Sequence, residues 1–346
     1  MTGRYGAPAA VLLLATLLAA CEDEADDPGA GASSAVVAPG PSYLSRGTIY
    51  AGDLRITTGP GVDGYTRTLD GFVWHNVDDE VWFGDGEHAA QLIGRGRFVK
   101  ADRESSEVAW VEYAEGEPAE LVVWDTAHRE EVLRTHEGTT ADMRQQVNFY
   151  SELSPWPPQD TRPIAFVYAV EAGEVYWLNT DGAVRTEIGS GETTVLMEDA
   201  DEVTIRAVEN GVIASEYFDE DQPDQNYRTL LGPEIYGDVV VDDVLSSGLS
   251  RDGSYLVTGG NLSGTRALQV VSTADGSRVT DEFDYDDLTA LAWTDDDTFQ
   301  ALSDPTPRNN RFNAPWDLLE CEVETSTCSV VGTASKHGVG FGFETS

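Results

Sequence analysis

An all-β chain closed into a β-propeller is the fold this sequence predicts, and three observations predict it. Short runs rich in Val, Ile, Tyr, Phe and Trp recur from residue 47 onward, each bounded by Gly, Asp or Asn. One strand–turn–strand pattern returns along the chain at blade-like spacing. No stretch carries the i, i+3, i+4 apolar stripe of a long helix, and the best helical candidate is residues 142–153.

In chain order the strand-type runs include FVWHN (72–76), EVWFG (80–84), EVAWVEY (107–113), ELVVWD (120–125), IAFVYAV (164–170), EVYWLN (174–179), VIASEY (212–217), ALQVVS (267–272) and LTALAW (288–293). LVVWDTAHREEV (121–132) and LQVVSTADGSRV (268–279) align without a gap, each a strand, a polar turn and a returning strand. EVYWLNTDGAVR (174–185) has the same shape with Asp181-Gly182 at the turn, EVWFGDGEHAAQL (80–92) uses Asp85-Gly86, and LLECEVETSTCSV (318–330) has a longer turn. A weaker copy runs through Tyr227 to Leu231. These units begin near 78, 121, 174, 227, 268 and 318, which matches the ~40–50 residues that a four-stranded blade takes. One twisted four-stranded sheet cannot bury both faces alone, whereas a ring of them can.

Six full repeats fill about 65–331, the hairpin TIYAGDLRITT (48–58) precedes them and GVGFGF (338–343) follows. We expect a seventh, composite blade with one strand from the C-terminus and two from the N-terminus, which leaves no dangling edge to aggregate. A six-bladed ring with these strands added to an existing blade is the alternative. Several segments resemble tryptophan-aspartate and TolB-type propeller repeats. Leu249-Ser250-Arg251-Asp252-Gly253-Ser254-Tyr255-Leu256 is similar to their Ser-Pro-Asp-Gly-x-x-Leu strand start, with Arg251 where Pro is usual, and Trp124-Asp125 matches the pair that ends a strand. The resemblance implies the architecture over about residues 47–344 and no activity.

Ahead of the propeller the chain reads differently. Arg4, an apolar stretch over 7–20 and Leu18-Ala19-Ala20-Cys21 resemble a bacterial lipoprotein signal and its lipobox. The stretch is too short to cross a ~30 Å hydrocarbon core as a permanent helix. The resemblance implies a signal over 1–20 and a lipid-modified Cys21, carrying diacylglycerol and palmitate-type chains. Residues 21–46 are then the lipidated cysteine and an acidic, Gly- and Pro-rich spacer, and 47–346 the propeller domain.

The charge excludes one class of partner. Acidic residues number 62 against 21 basic ones, a net charge of −41, and only Lys100 and Lys336 are lysines. Such a surface repels phosphate backbones, so nucleic acid is excluded, and anionic headgroups are repelled as well. Membrane contact is expected through the lipid anchor only. High-GC genome composition and solubility, or salt adaptation, account for the acidity without a cationic ligand.

Cys321 and Cys328 are the remaining cysteines. In an exported chain they read as a disulfide across one hairpin, with WDLLEC (316–321) as the outgoing strand and CSVVG (328–332) as the return. A zinc site would need two further ligands, and His75, His88, His128, His136 and His337 are scattered.

No G-x-S-x-G elbow, phosphate-cradling glycine loop or HExxH is present, so no catalytic residue, metal or cofactor is assigned. The acidic run Asp219-Glu220-Asp221-Gln222-Pro223-Asp224-Gln225-Asn226 lacks EF-hand spacing and reads as a solvated connection. Asp295-Asp296-Asp297 reads as a tight turn. Long loops in a compact repeat protein are often functional, so 150–163 with Trp156, and 304–316 with Arg308, Arg311 and Trp316, are the candidate binding loops. The expected function is a membrane-anchored, extracytoplasmic binding module for a protein, small molecule or glycan. The alternatives are a glycan hydrolase or lyase with carboxylates near the channel, and an envelope assembly factor by analogy with TolB. Replacing Cys21 with Ser should release the protein from the membrane or leave an unprocessed precursor. Fractionation that finds the substituted chain processed and anchored as before would overturn the lipid assignment.

Overall fold

Strands form where apolar and β-branched residues alternate or run together, and the chain reverses where Gly, Asp and Asn supply the turn. The computed structural model describes residues 40–62, 64–145, 162–198, 203–218, 227–242, 246–258, 268–280, 283–285, 288–303, 316–334 and 341–344. Cys21, Trp156, Arg308 and Arg311, the acidic run 219–226 and His337 lie outside the described residues.

The chain opens with β1 (Ser42–Ser45), β2 (Thr48–Ala51) and β3 (Leu54–Thr57). The first blade is β4 (Gly64–Arg67), β5 (Phe72–His75), β6 (Glu80–Gly84) and β7 (Gln91–Arg95). The second is β8 (Arg97–Ala101), β9 (Glu107–Glu112), β10 (Glu120–Asp125) and β11 (Glu130–Thr135). The third is β12 (Phe166–Glu171), β13 (Glu174–Asn179), β14 (Gly182–Glu187) and β15 (Thr193–Met197). The fourth is β16 (Val203–Glu209), β17 (Val212–Phe218), β18 (Tyr227–Gly232) and β19 (Val239–Asp242). The fifth has β20 (Ser246–Leu249), β21 (Tyr255–Thr258) and β22 (Gln269–Ser272). The sixth is β23 (Leu288–Trp293), β24 (Thr298–Ser303), β25 (Trp316–Glu322) and β26 (Thr327–Ala334), and the chain closes with β27 (Phe341–Glu344).

Within each blade successive strands pair antiparallel, and β27 takes the innermost place of a seventh blade beside β1, β2 and β3. The innermost strands β4, β8, β12, β16, β20, β23 and β27 each neighbour the next, and β23 and β27 complete the circle. The fold is a seven-bladed propeller.

Four expectations are refined. The closing blade takes three N-terminal strands, not two, because β1 lies at Ser42–Ser45, inside the stretch read as spacer. Its four residues follow prolines and offer only Tyr43 and Leu44 as a strand signal. EVYWLN is the second strand of its blade, whereas LVVWD and LQVVS belong to third strands; GAVRTE (182–187) is the true counterpart. An Asp-Gly hairpin looks alike whichever two strands it joins. In the fifth blade the fourth position is held by a short return, with a bridge from Val271 to Arg278 and Val279 N–H donating to Val270 O at 2.8 Å. The described part of the 142–153 helix candidate is a turn and a bridge from Arg144 to Ile164.

Apolar side chains fill the faces between blades. Leu44 and Ile56 of the closing blade meet Phe72 and Trp74 of the first, and Phe83 meets Trp110 and Trp124 between first and second. Leu121 packs with Trp177 between second and third, and Tyr168 with Ile205 between third and fourth. Leu231 meets Leu256 between fourth and fifth, and Val270 meets Phe299 between fifth and sixth. Each such side chain, fully buried, contributes about 1.5–3 kcal/mol relative to exposure. Gly94 and Gly96 are required beside Trp110, because a Cβ at either would collide with its indole ring.

Cys321 and Cys328 are directly cross-strand in the last full blade, with Cα atoms 4.0 Å apart and a disulfide joining them. Closing so short a loop limits the entropic gain to about 2.5 kcal/mol. Reducing the native bond should therefore lower the unfolding free energy by about that amount without abolishing the fold. Urea denaturation with and without reductant checks this, and unfolding on reduction alone would contradict it.

Candidate functional site

Every blade starts at the channel and steps outward, so its innermost strand ends at the same mouth of the ring in each case. The turns that follow these strands stitch neighbouring blades together. Leu69 N–H donates to Ser105 O at 2.9 Å and Ser106 Oγ to Asp70 Oδ2 at 2.7 Å, joining the first blade to the second. Ala172 N–H donates to Asp102 Oδ2 at 3.2 Å, joining second and third. Asn210 N–H donates to Glu171 Oε1 at 2.7 Å, and its Nδ2 donates to Asp252 O at 2.9 Å. One asparagine therefore ties the third, fourth and fifth blades. Trp293 Nε1 donates to Gly248 O at 2.9 Å between sixth and fifth. Arg103 reaches from the second blade to Trp293 O of the sixth through its Nη1, which lays a guanidinium across the mouth.

Local turn chemistry places the carboxylates. Ala172 and Gly173, and likewise Asn210 and Gly211, have positive φ angles, the pattern of two-residue hairpin turns that match strand twist. Such tight turns leave no slack, so Glu171 and Glu209, the last residues of β12 and β16, stay at the rim of the channel.

Charges crowd there. Burial pushes the Glu209 carboxyl up to about 8, reinforced by Glu171 and Asp102 and opposed by Arg103 and Arg251. Burial also raises Glu171, with Asp102 and Glu104 adding to it against the hydrogen bond from Asn210. Asp296 is raised by its burial and by Asp252 and Asp295. Just inside, burial brings the Lys100 ammonium down to about 8; Glu209 opposes this, and Arg103 and Arg206 assist. Tyr168 on β12 is pushed up by burial, and Arg206 on β16 donates its Nε to Glu216 Oε2 at 2.7 Å. Arg251 has a buried Nε with no hydrogen-bond partner among the described residues. The arrangement can hold a polar ligand between a guanidinium and a carboxyl that is neutral near pH 7.

The loops chosen by sequence attach elsewhere. In sequence, residues 150–163 fall between β11 and β12, and 304–315 between β24 and β25, whereas the charged mouth is built from the turns after the innermost strands. Trp316 is the first residue of β25. Asp295-Asp296-Asp297 is a tight turn as expected, with Asp295 N–H donating to Thr298 O at 3.1 Å. His128 sits in an exposed turn, its Nδ1 2.8 Å from Asp125 Oδ2, and His88 repeats this with Asp85 at 2.8 Å. No group of three or more His, Cys, Asp or Glu among the described residues is arranged to hold a metal ion. Sequence reasoning missed Glu171, Glu209, Arg103 and Arg251. A signal existed: Ala169-Val170-Glu171-Ala172-Gly173 and Ala207-Val208-Glu209-Asn210-Gly211 are near-copies at equivalent turns.

No family model matches the chain, and no curated protein matches it by sequence. The solved structures found to be similar are distant from this chain. The computationally designed Ika8 protein is 15% identical, with 89% of each chain covered and a TM-score of 0.45. A putative TolB from Agrobacterium tumefaciens is 10% identical over 88% of this chain and 98% of that one, with a TM-score of 0.37. A chain of a mitotic checkpoint complex is 11% identical over 94% and 90%, with a TM-score of 0.48.

The raised Glu209 carboxyl has a signed consequence. Its folded value of about 8 lies above the ordinary 4.5, so its stabilising contribution is complete below about 4.5 and is lost as pH rises towards 8. Glu209→Gln should remove that part of the decline, so the variant gains on the native protein between pH 5 and 9. Denaturation midpoints across this range check it, and parallel curves would contradict it.

Proposed function

We propose that this protein is a membrane-anchored, extracytoplasmic propeller that binds a ligand or protein at the mouth formed by its first turns. The observation that carries this reading is the convergence of Arg103, Arg251, Glu171 and Glu209 from four blades onto one opening. Structural stitching alone accounts for Arg103 and Asn210, which bond to neighbouring backbone. It does not account for Arg251, whose buried Nε lacks a hydrogen bond among the described residues, because an unpaired buried donor is costly to keep. The lipid on Cys21 would tether the domain to the membrane, with the domain itself too acidic to adsorb on anionic lipid.

A second reading is favoured by one observation. Glu209 and Glu171 are neighbouring carboxyls, and one of them is held protonated near neutral pH, as the acid of a glycoside hydrolase must be. That supports the glycan hydrolase or lyase alternative. Assembly work in the envelope, as for TolB, has only the shared fold behind it.

Arg251→Ala separates binding from scaffolding. Cross-linking and copurification of the lipid-anchored protein should recover partners with the native chain and lose them with the variant, while the melting midpoint moves by no more than about 2 °C. Equal recovery from both would contradict a binding role for this mouth. Glycan cleavage abolished by Glu209→Gln would replace the binding reading with the enzymatic one.

A further inference from the structure

One contact recurs where the first turns of neighbouring blades meet. A carboxylate at the end of the innermost strand, or in the turn after it, accepts a hydrogen bond from the first turn of the next blade. Asp70 Oδ2 accepts from Ser106 Oγ at 2.7 Å, Asp102 Oδ2 from Ala172 N–H at 3.2 Å, and Glu171 Oε1 from Asn210 N–H at 2.7 Å. By the same rule Glu209 would accept from the turn of the fifth blade, residues 250–254. The two turns do touch. A Cβ on Gly253 would come within 2.9 Å of Glu209 O, and Asn210 Nδ2 donates to Asp252 O at 2.9 Å. Yet no hydrogen bond to the Glu209 carboxyl is found among the described residues.

Arg251 is the fifth-blade side chain that faces this carboxyl, and it also faces Asp296 of the sixth blade. Its buried Nε has no hydrogen-bond partner among the described residues. Asp252 beside it is engaged by its own turn, accepting from Ser250 Oγ at 2.7 Å and Ser254 Oγ at 2.6 Å. The repeated contact therefore lapses at one step and leaves a carboxyl and a guanidinium that face each other without a bond.

Donors predominate around that gap. Arg251 and Arg103, both facing Glu209, can only donate, and so can the Lys100 ammonium. Burial lifts the Glu209 carboxyl to about 8, so near neutral pH it carries a proton to give. Arg206 is already engaged by Glu216 at 2.7 Å. A group that answers all these donors is an oxyanion, and a guanidinium binds a planar carboxylate through two parallel bonds. The surrounding carboxylates limit its charge: Glu171 and Asp102 face Glu209, while Asp252 and Asp295 face Asp296. One negative charge is matched here, and a second would be repelled.

We propose that the gap between Glu209 and Arg251 takes the carboxylate group of a small, singly charged organic ligand. The proposal rests on the reading of this mouth as a ligand site and adds the chemical class of what binds. Arg251 supplies the fork, and the Glu209 O–H donates to the same carboxylate. Raising the pH through 8 ionises Glu209 and discharges Lys100, so binding weakens in that range.

Calorimetric titration of the full chain with propionate, at constant ionic strength, tests this. Saturable binding with a dissociation constant of about 1 mM is expected at pH 7, within what so small a ligand can reach. Arg251→Ala should weaken it at least about thirtyfold, and Arg251→Lys, which keeps the charge without the fork, should recover only part of that loss. From pH 7 to 9 the native affinity should fall at least about tenfold, and Glu209→Gln, which keeps a donor but cannot ionise, should remove about tenfold of that fall. Absence of saturation at about 50 mM propionate, equal binding by Arg251→Ala, or the same pH decline in Glu209→Gln would overturn the proposal. Inorganic phosphate bound as tightly as propionate would overturn it too, because the site would then accept a second charge. Partners that copurify in an Arg251-dependent way, with no propionate bound, would leave the binding role of the mouth standing and remove only the carboxylate.

Discussion

Everything in this molecule depends on a four-residue strand held from both sides. β27 pairs antiparallel with β1 and parallel with β4, so the last strand of the chain is locked between its first strand and its first full blade. A row of blades has two ends, each exposing an apolar face, and closing the row removes both at once. The parallel pairing adds a directional constraint. It sets β27 running with β4, as every other innermost strand does, and so completes the circle whose six first turns share one mouth. Without closure there would be no mouth and no site.

That mouth is economical in sequence. The turns of the third and fourth blades use two residues each, and their positive φ angles fall on Ala172-Gly173 and Asn210-Gly211. A two-residue turn cannot carry a binding loop, so chemistry must be placed on the strand ends, and there it is placed, at Glu171 and Glu209. The same shortness lets a backbone N–H of one blade reach a carboxylate of the next, as Asn210 reaches Glu171 at 2.7 Å. Stitching and site-building thus share residues. The N–H of Asn210 works against the burial that raises Glu171, whereas burial at Glu209 is reinforced by Glu171 beside it.

Architecture was legible because blades repeat, and repetition survives weak motifs. The blade count, the composite closure and the disulfide followed from strand-type runs, the spacing of turns, and Cys321 and Cys328 flanking one turn. β1 was not legible, since Ser42-Tyr43-Leu44-Ser45 is too short to show alternation and follows a Pro-rich stretch. The third blade was set out of register because EVYWLN and GAVRTE are joined by an Asp-Gly turn like those between third and fourth strands. The mouth was hidden for a different reason. Loop length drew attention to 150–163 and 304–316, yet the charged convergence comes from the shortest turns, where a lone Glu among 62 acidic residues carries no mark. Only ring closure makes Glu171, Glu209, Arg103 and Arg251 neighbours.

One residue choice at the channel separates deliberate chemistry from composition. Almost every cation in this chain is arginine, with Lys100 and Lys336 the only lysines. If composition alone ruled, arginine would stand at position 100 as well. An arginine there would stay charged under any ordinary condition and would add to Arg103 and Arg206. A buried lysine can give up its proton, and burial brings Lys100 down to about 8 while it lifts Glu209 to about 8. Glu209 favours the charged lysine against the burial that disfavours it. Position 100 therefore holds a cation whose charge depends on its surroundings, which an arginine there would not provide.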